Sequence, residues 1–252
     1  MKTLGFIGAG RITGIFLQAF KNKGLSLSEI SIFDINNDIS KMLKEKFPEI
    51  KISDLKGVSS DDVVFIALHP PVIMETLNSV KEFVKKDTVI ISLAPKITIE
   101  KISTLLGNQN IVRLIPNATS IINQGYNPVC FSNGCGDKQN IFELLSALGK
   151  TFETQEQKLE AYAIASAMLP TYFWFQWFEL IEIAAQIGLS DKEALETVEE
   201  TIIASINTAF KSGLTQKEVC DLIPVKPIGE NEIQIKEILN SKLKGLYEKI
   251  KP

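Results

Sequence analysis

One stretch constrains this chain more than any other: its opening residues, MKTLGFIGAGRITG. A short apolar run, Leu4 to Ile7, meets Gly8-Ala9-Gly10, and an apolar stretch from Ile12 to Phe20 follows with helical spacing. Strand, glycine turn and helix in that order form the turn that holds the pyrophosphate of a dinucleotide. Gly8 allows the tight turn, and Gly10 lets the backbone approach phosphate with no Cβ in the way. The helix then directs its free N–H groups and positive dipole end at the anion. Thr13 stands where the pattern has its third glycine, and is expected to hold the first helix slightly farther from the sheet.

The pattern behind this turn alternates. Strand-like runs are Leu4–Ile7, Ile30–Phe33, Val63–Leu68, Val89–Leu93, Ile111–Leu114 and Tyr126–Phe131, with helical patterns between them. Continuous apolar strands such as VVFIAL suit a parallel sheet covered on both faces. The texture changes after Gly149, and from Lys158 the pattern is helical almost to the end, with a break expected at Pro170. Ser190 or Asp191 caps one later helix, Thr215 opens a short one, and a loop IPVKPIGEN precedes a last helix from about Glu232 to Ile250. The expected fold is α/β. A Rossmann-type doubly wound parallel sheet over residues 1–153 is followed by an all-helical domain over 154–252, used for substrate and dimerisation.

Composition narrows the function. Net charge is −3, and Arg11 and Arg113 are the only arginines, so no basic stripe exists for nucleic acid. Three cysteines, with no CxxC pair, make neither a disulfide framework nor a zinc site. The N-terminus lacks a signal-peptide pattern, and the default setting is the reduced cytoplasm. The uncharged stretch 161–178 is near spanning length. Pro170, Ser166, Thr171 and Gln176 instead mark it as a helix buried between subunits or domains.

Several residues carry a functional reading beside a plainer one. Asp34 ends the second strand about twenty residues past the turn, where an acid accepts hydrogen bonds from the adenosine ribose; it could equally cap a turn with Asn36 and Asn37. No lysine or arginine stands at 35–37 to meet a 2′-phosphate, which favours NAD over NADP. Arg11 opposes the helix dipole, a small penalty that a bound anion would offset, or it is simply an exposed first-turn residue. His69, the one histidine, ends an apolar strand before two prolines. It is either an acid–base group or a loop residue whose backbone faces the cofactor. Ser166, Thr171 and Tyr172 lie on the apolar helix, where hydroxyls often bond to the preceding turn.

Taken together, these segments resemble pyrroline-5-carboxylate reductase, a family that reduces a cyclic imine to proline with a nicotinamide cofactor. GFIGAGRIT is similar to its opening GFIGxGNM, DDVVFIALHPPVIMETL to its strand ending in AVKP, and VIISLAPKITIEKI to its VxSIAAGxT turn. IVRLIPNATSIINQGYNPV is similar to VRAMPNTPAxxxxG, and AIASAMLPTYFWF to the GSGPAY helix. The resemblance implies cofactor contacts at Gly8, Gly10, Ala67, Leu68, His69, Pro70 and Asn117, beside Arg11 and Ile12 at the turn and Asp34 at the ribose. Ser166, Pro170 and Tyr172 match the family's GSGPAY helix, and substrate contacts are expected at Ser166, Pro170 and the adjoining Thr171.

The substrate loop departs from the family. Its SPGGTT segment, with the threonine favoured as proton donor, is here IPVKPIGEN, which brings Lys226 and Glu230 instead. The catalytic group is therefore left open, with Thr171 and Lys226 foremost, beside Tyr172, His69 and bound water. The expected protein is an NAD(P)-dependent oxidoreductase acting on a small cyclic imine or related C=N or C=O compound. Its C-terminal helices would pair in a homodimer or higher homo-oligomer. The alternative is a dinucleotide-binding sensor or regulatory protein without reductase activity. A hydroxyacid-type dehydrogenase ranks lower, because Lys158 is followed at the relevant spacing by Tyr162, not asparagine.

Overall fold

The computed structural model describes residues 2–252. The chain begins β1 (Leu4–Ile7), α1 (Arg11–Asn22), β2 (Ile30–Phe33), α2 (Asn37–Lys46), β3 (Lys51–Ile52) and α3 (Leu55–Ser59). It continues β4 (Val63–Ile66), α4 (Pro70–Val80), β5 (Val89–Ser92), α5 (Ile99–Leu106), β6 (Ile111–Leu114) and β7 (Gly125–Phe131). Then come α6 (Lys138–Ser146), β8 (Gly149–Glu153), α7 (Leu159–Tyr162), α8 (Pro170–Gln186), α9 (Asp191–Lys211), α10 (Gln216–Asp221) and α11 (Glu232–Ile250).

The strands form one sheet in the order β3-β2-β1-β4-β5-β6-β7-β8. Every residue of β1, β4, β5 and β6 is buried, as continuous apolar strands covered on both faces require. Leu4 pairs with Val63 and Ile7 with Ile66 in the central β1–β4 ladder. Phe6 stacks on Phe65 at 4.5 Å, and Phe16 of α1 meets Phe65 edge-on at 5.7 Å, which seats α1 against these two strands. The chain leaves β1 toward β2 on one side and toward β4 on the other, so the switch point lies between β1 and β4.

The α/β fold with a doubly wound, mostly parallel sheet is as expected, with β7 running antiparallel to β6 while β8 is parallel to β7. The edge strands β3 and β8 escape the apolar pattern. β3 has two residues, and β8 has no fully buried residue. The described residues form two compact units, one running up to Ala167 together with Leu246–Pro252, and one of Met168–Gly245. The first therefore runs past 153, because Leu159 and Ala163 are buried with Ile115 and Cys130. In the second unit α8 packs on α9 and α10 on α9. Ser190 with Glu193, and Thr215 with Glu218, form reciprocal capping boxes.

Arg113, fully buried on β6, holds the end of the first unit to the sheet. Its Nη2 lies 2.6 Å from Glu160 Oε1 and its Nη1 3.0 Å from Glu156 Oε1. The same carboxylates accept backbone N–H groups from the loop after β5: Lys96 N donates to Glu160 at 3.0 Å and Ile99 N to Glu156 at 2.7 Å. Removing one member leaves the other charge buried and unpaired, which costs about 3–5 kcal/mol. Arg113→Leu is therefore expected to lose that amount in denaturant unfolding. Arg113→Leu with Glu160→Leu is expected to lose less than the single variant, which measurement of both midpoints checks.

Candidate dinucleotide site

The glycine turn is built tightly. Gly8 has φ +104°, and a Cβ there would lie 2.5 Å from the Ala67 carbonyl oxygen. Its N–H donates to Phe33 O at 2.7 Å. Thr13 is buried, and its hydroxyl donates to Gly8 O at 2.6 Å, so the residue in the third-glycine position ties α1 to the turn. Gly10 is different: a Cβ there would meet nothing within 4 Å. Its φ of −74° suits any residue. Nothing in the folded chain excludes a side chain at Gly10, so the open space in front of it is what the absence of Cβ serves.

Asn36, Asp54 and Thr98 cap α2, α3 and α5 with their side chains. α1, which begins at the end of β1, has no side-chain cap, and neither do α4, α6, α7 and α8. α4 opens on Pro70 and Pro71, which carry no N–H, and Val72 N donates to His69 O at 3.2 Å. At the switch point it is therefore the start of α1, behind Gly10, that offers N–H groups to an anion.

Two clefts meet at this edge. The larger, about 740 Å³, is lined by Gly10, Arg11, Ile12, Ala67, His69 and neighbours from α2. The smaller, about 340 Å³, is lined by Gly8, Asp34, Val72, Glu75 and Thr76. Leu68 lines both. Asp34 Oδ2 accepts from Ala9 N, and Oδ1 from Asn36 N, each at 2.9 Å. The carboxylate is thus a turn brace whose two oxygens keep lone pairs for a ribose hydroxyl. No lysine or arginine lines the smaller cleft, and Glu75 gives it a second carboxylate.

The remaining sequence candidates fall in several places. His69 is exposed and serves as the N-cap of α4 through its backbone, with Pro70 in the first turn. Asn117 and Ser166 come together: Asn117 Nδ2 donates to Ser166 Oγ at 3.0 Å and to Ser166 O at 3.3 Å. Pro170 has no N–H to return to the Ser166 carbonyl, so the asparagine amide satisfies an acceptor that the proline leaves open. Residues 163–167 form a π-helical turn at this point.

In the second unit the Thr171 hydroxyl donates to Met168 O at 2.6 Å, which commits its proton to its own helix. Burial raises the Tyr172 phenol above its ordinary value. Lys226 lines a separate cleft of about 880 Å³ with Glu200, Ser205 and Cys220. Glu75, Met42 and Leu93 were not legible as cleft residues, because helix-face apolar positions and a lone glutamate give no local signal.

Lys96 has φ +74°. This left-handed backbone costs a residue with a Cβ about 1–2 kcal/mol. The only other non-glycine residue with positive φ among the described residues is Asn123, a type that tolerates the region.

Two substitutions test the turn. Gly10→Ala is expected to leave the melting temperature unchanged and to weaken NADH binding about tenfold or more, read by cofactor fluorescence. Gly8→Ala is expected to destabilise the fold by about 1–3 kcal/mol, because φ and the Ala67 carbonyl both oppose a Cβ.

A family model described as "NADP oxidoreductase coenzyme F420-dependent" matches residues 3–96, which include the turn, Asp34 and the end of β4. Pyrroline-5-carboxylate reductase 2 of Bacillus subtilis is 24% identical over 249 residues, covering 96% of this chain and 88% of that protein. A pyrroline-5-carboxylate reductase structure from Coxiella burnetii aligns with TM-score 0.71 at 23% identity, over 99% of this chain and 94% of that one. The Plasmodium falciparum pyrroline carboxylate reductase structure with NADP bound aligns with TM-score 0.74 at 20% identity, again over 99% and 94%. The matches to pyrroline-5-carboxylate reductases run nearly the length of the chain, and the chain is similar to them in sequence and shares their fold.

Proposed function

We propose that this protein is an NADH-dependent reductase of a small cyclic imine of the pyrroline-5-carboxylate type. The observation that carries this reading is the uncapped N-terminus of α1 behind Gly10, with open space where a Cβ would stand. When bound, the reduced nicotinamide supplies a hydride. The chain's own work is to fix the dinucleotide: Gly8 and Gly10 admit the pyrophosphate, Arg11 adds a cation beside it, and Ile12, Ala67, Leu68, His69 and Pro70 border its path. Asn117, held to Ser166, ties the turn after β6 to the π-helical turn at residues 163–167. Substrate contacts at Ser166, Pro170 and Thr171 follow from the family likeness. With the Thr171 hydroxyl turned onto Met168, Lys226 is the stronger of the two proton-donor candidates.

The choice of cofactor rests on charge. A 2′-phosphate placed beside Asp34 would meet that carboxylate and Glu75 with no lysine or arginine in the cleft lining. Like charges placed together cost several kcal/mol. A free 2′-hydroxyl instead donates to Asp34. The relative from Plasmodium falciparum binds NADP, so this chain differs from it in cofactor.

The exposed apolar side chains of the second unit support self-association, and a reduced, cytoplasmic setting is part of the proposal. Phe175 is 68% and Phe210 83% exposed, while Ala194 is fully buried. A second copy of the same helices would cover such apolar side chains. None of the described helices is long and apolar enough to cross a membrane.

NADH is expected to bind about tenfold tighter than NADPH, and Asp34→Ala to weaken NADH while leaving NADPH unchanged. Equal affinities, equally weakened, would reduce Asp34 to its role as a turn brace. Purified protein is expected to oxidise NADH in the presence of pyrroline-5-carboxylate or a related cyclic imine. Tight NADH binding with no turnover across a panel of cyclic imines and 2-keto acids would leave the sensor reading in its place. Light scattering is expected to give at least twice the mass of one chain.

A further inference from the structure

The loop between β5 and α5 holds a contradiction. Left-handed backbone favours glycine, and the positions with clearly positive φ among the described residues are glycines, Asn123 and Lys96. Asn123 uses its side chain at that geometry, donating to Ala19 O and Ala147 O. The Lys96 side chain is exposed, and its ammonium has no ion-pair partner among the described residues. The lysine thus gains nothing inside the fold from a conformation that strains it.

The conformation is nonetheless fixed. Lys96 N donates to Glu160 Oε1, which is itself held by the buried Arg113, and Ile99 N is held by Glu156 in the same way. The backbone on either side of the strained residue is tied to an ion cluster inside the unit. A strained residue that its surroundings over-determine is a feature expected of ligand clamps.

Its place in the sheet says which ligand. Gly8 and Gly10 follow β1, and β5 lies two strands away, across β4. Two strand spacings are about 10 Å. That displacement runs from the pyrophosphate turn toward the half of a dinucleotide that reacts. Leu93, three residues before Lys96, lines the same cleft as Gly10 and His69.

We propose that Lys96 is a specificity-determining residue that receives the carboxylate of the substrate at the nicotinamide end of the site. The inference rests on the reductase reading above. It gives this chain a cation for an anionic substrate, while its IPVKPIGEN segment has lost the glycine pair that grips one in the family. Glu160 and Arg113 are positioning residues that present Lys96 and do not touch the ligand.

The test uses the full chain loaded with NAD⁺. Binding of L-proline, pipecolate and pyrrole-2-carboxylate is measured by calorimetry beside the corresponding amides, for wild type, Lys96→Gly and Lys96→Arg. NADH affinity and melting temperature are measured on the same samples. Lys96→Gly is expected to raise the melting temperature by about 2–4 °C, because glycine relieves the left-handed strain. It is expected to weaken carboxylate binding about tenfold or more, with the amides and NADH unchanged, and Lys96→Arg is expected to restore the carboxylate preference. Unchanged carboxylate affinity in Lys96→Gly overturns the proposal. So does a loss falling on NADH instead, which would assign Lys96 to the cofactor. A wild type that binds NADH but none of the three carboxylates overturns it and leaves the dinucleotide reading standing. A wild type that binds no NADH removes both.

Discussion

Arg113 sits in the middle of a hydrophobic strand, and its guanidinium reaches Glu156, Glu160 and the Ala94 carbonyl. Burying a guanidinium and a carboxylate carries a desolvation penalty that their attraction only offsets, so the cluster is weak as a source of net stability. Its value is in what it fixes. β6, the loop after β5 and the segment from Glu156 to Glu160 are remote in sequence and share no continuous apolar surface. One charge group gives them a single geometry, since any slip would leave a charge buried without its partner. The edge of the sheet where a dinucleotide would react therefore depends on a contact that no local pattern announces.

Another condition governs the cofactor turn. Asn36, Asp54, Thr98, Ser190 and Thr215 satisfy the first N–H groups of their helices. The uncapped start of α1 forgoes about 1 kcal/mol. α4 has no such donors to satisfy in its first two positions, because Pro70 and Pro71 stand there. The donors at the start of α1 lie behind the open space at Gly10, where something outside the chain can accept from them. Gly10 and the bare start of α1 thus mark the site together.

The central strands and the turn were legible because they are written locally. LGFI, VVFI and VIIS are buried on both faces, and their apolar continuity states it. Gly8 carries its positive φ as a glycine should. β3 and β8 were not legible, because a two-residue strand has no period and edge residues need not be apolar. The antiparallel β7 depends on the turn at Asn117 to Asn123, not on the composition of YNPVCF. The pairing of Asn117 with Ser166 follows from a proline that removes one donor, which the sequence contains but does not connect. Lys96 escaped because its signal is a conformation: APKIT looks like an ordinary polar loop until φ is known. Arg113 and Glu160 lie 47 residues apart with no local pattern linking them, and only the fold brings them together.

The helical unit poses the remaining energetic question. Apart from Pro170 in its first turn, Ala194 is the fully buried apolar residue there, while Phe175, Phe178, Phe210 and Ile187 are all mostly exposed. Ordering a residue costs about 1–2 kcal/mol of backbone entropy, which buried apolar area must repay. Capping boxes at Ser190 and Thr215 define where helices start, but contribute only about 1 kcal/mol each. The proposed second copy would cover the same residues on both partners at once, because a twofold interface repeats each contact. Assembly and folding of the helices would then be one process. Charged substitutions at Phe175 or Phe210 should then unfold the helical unit as well as dissociate the protein.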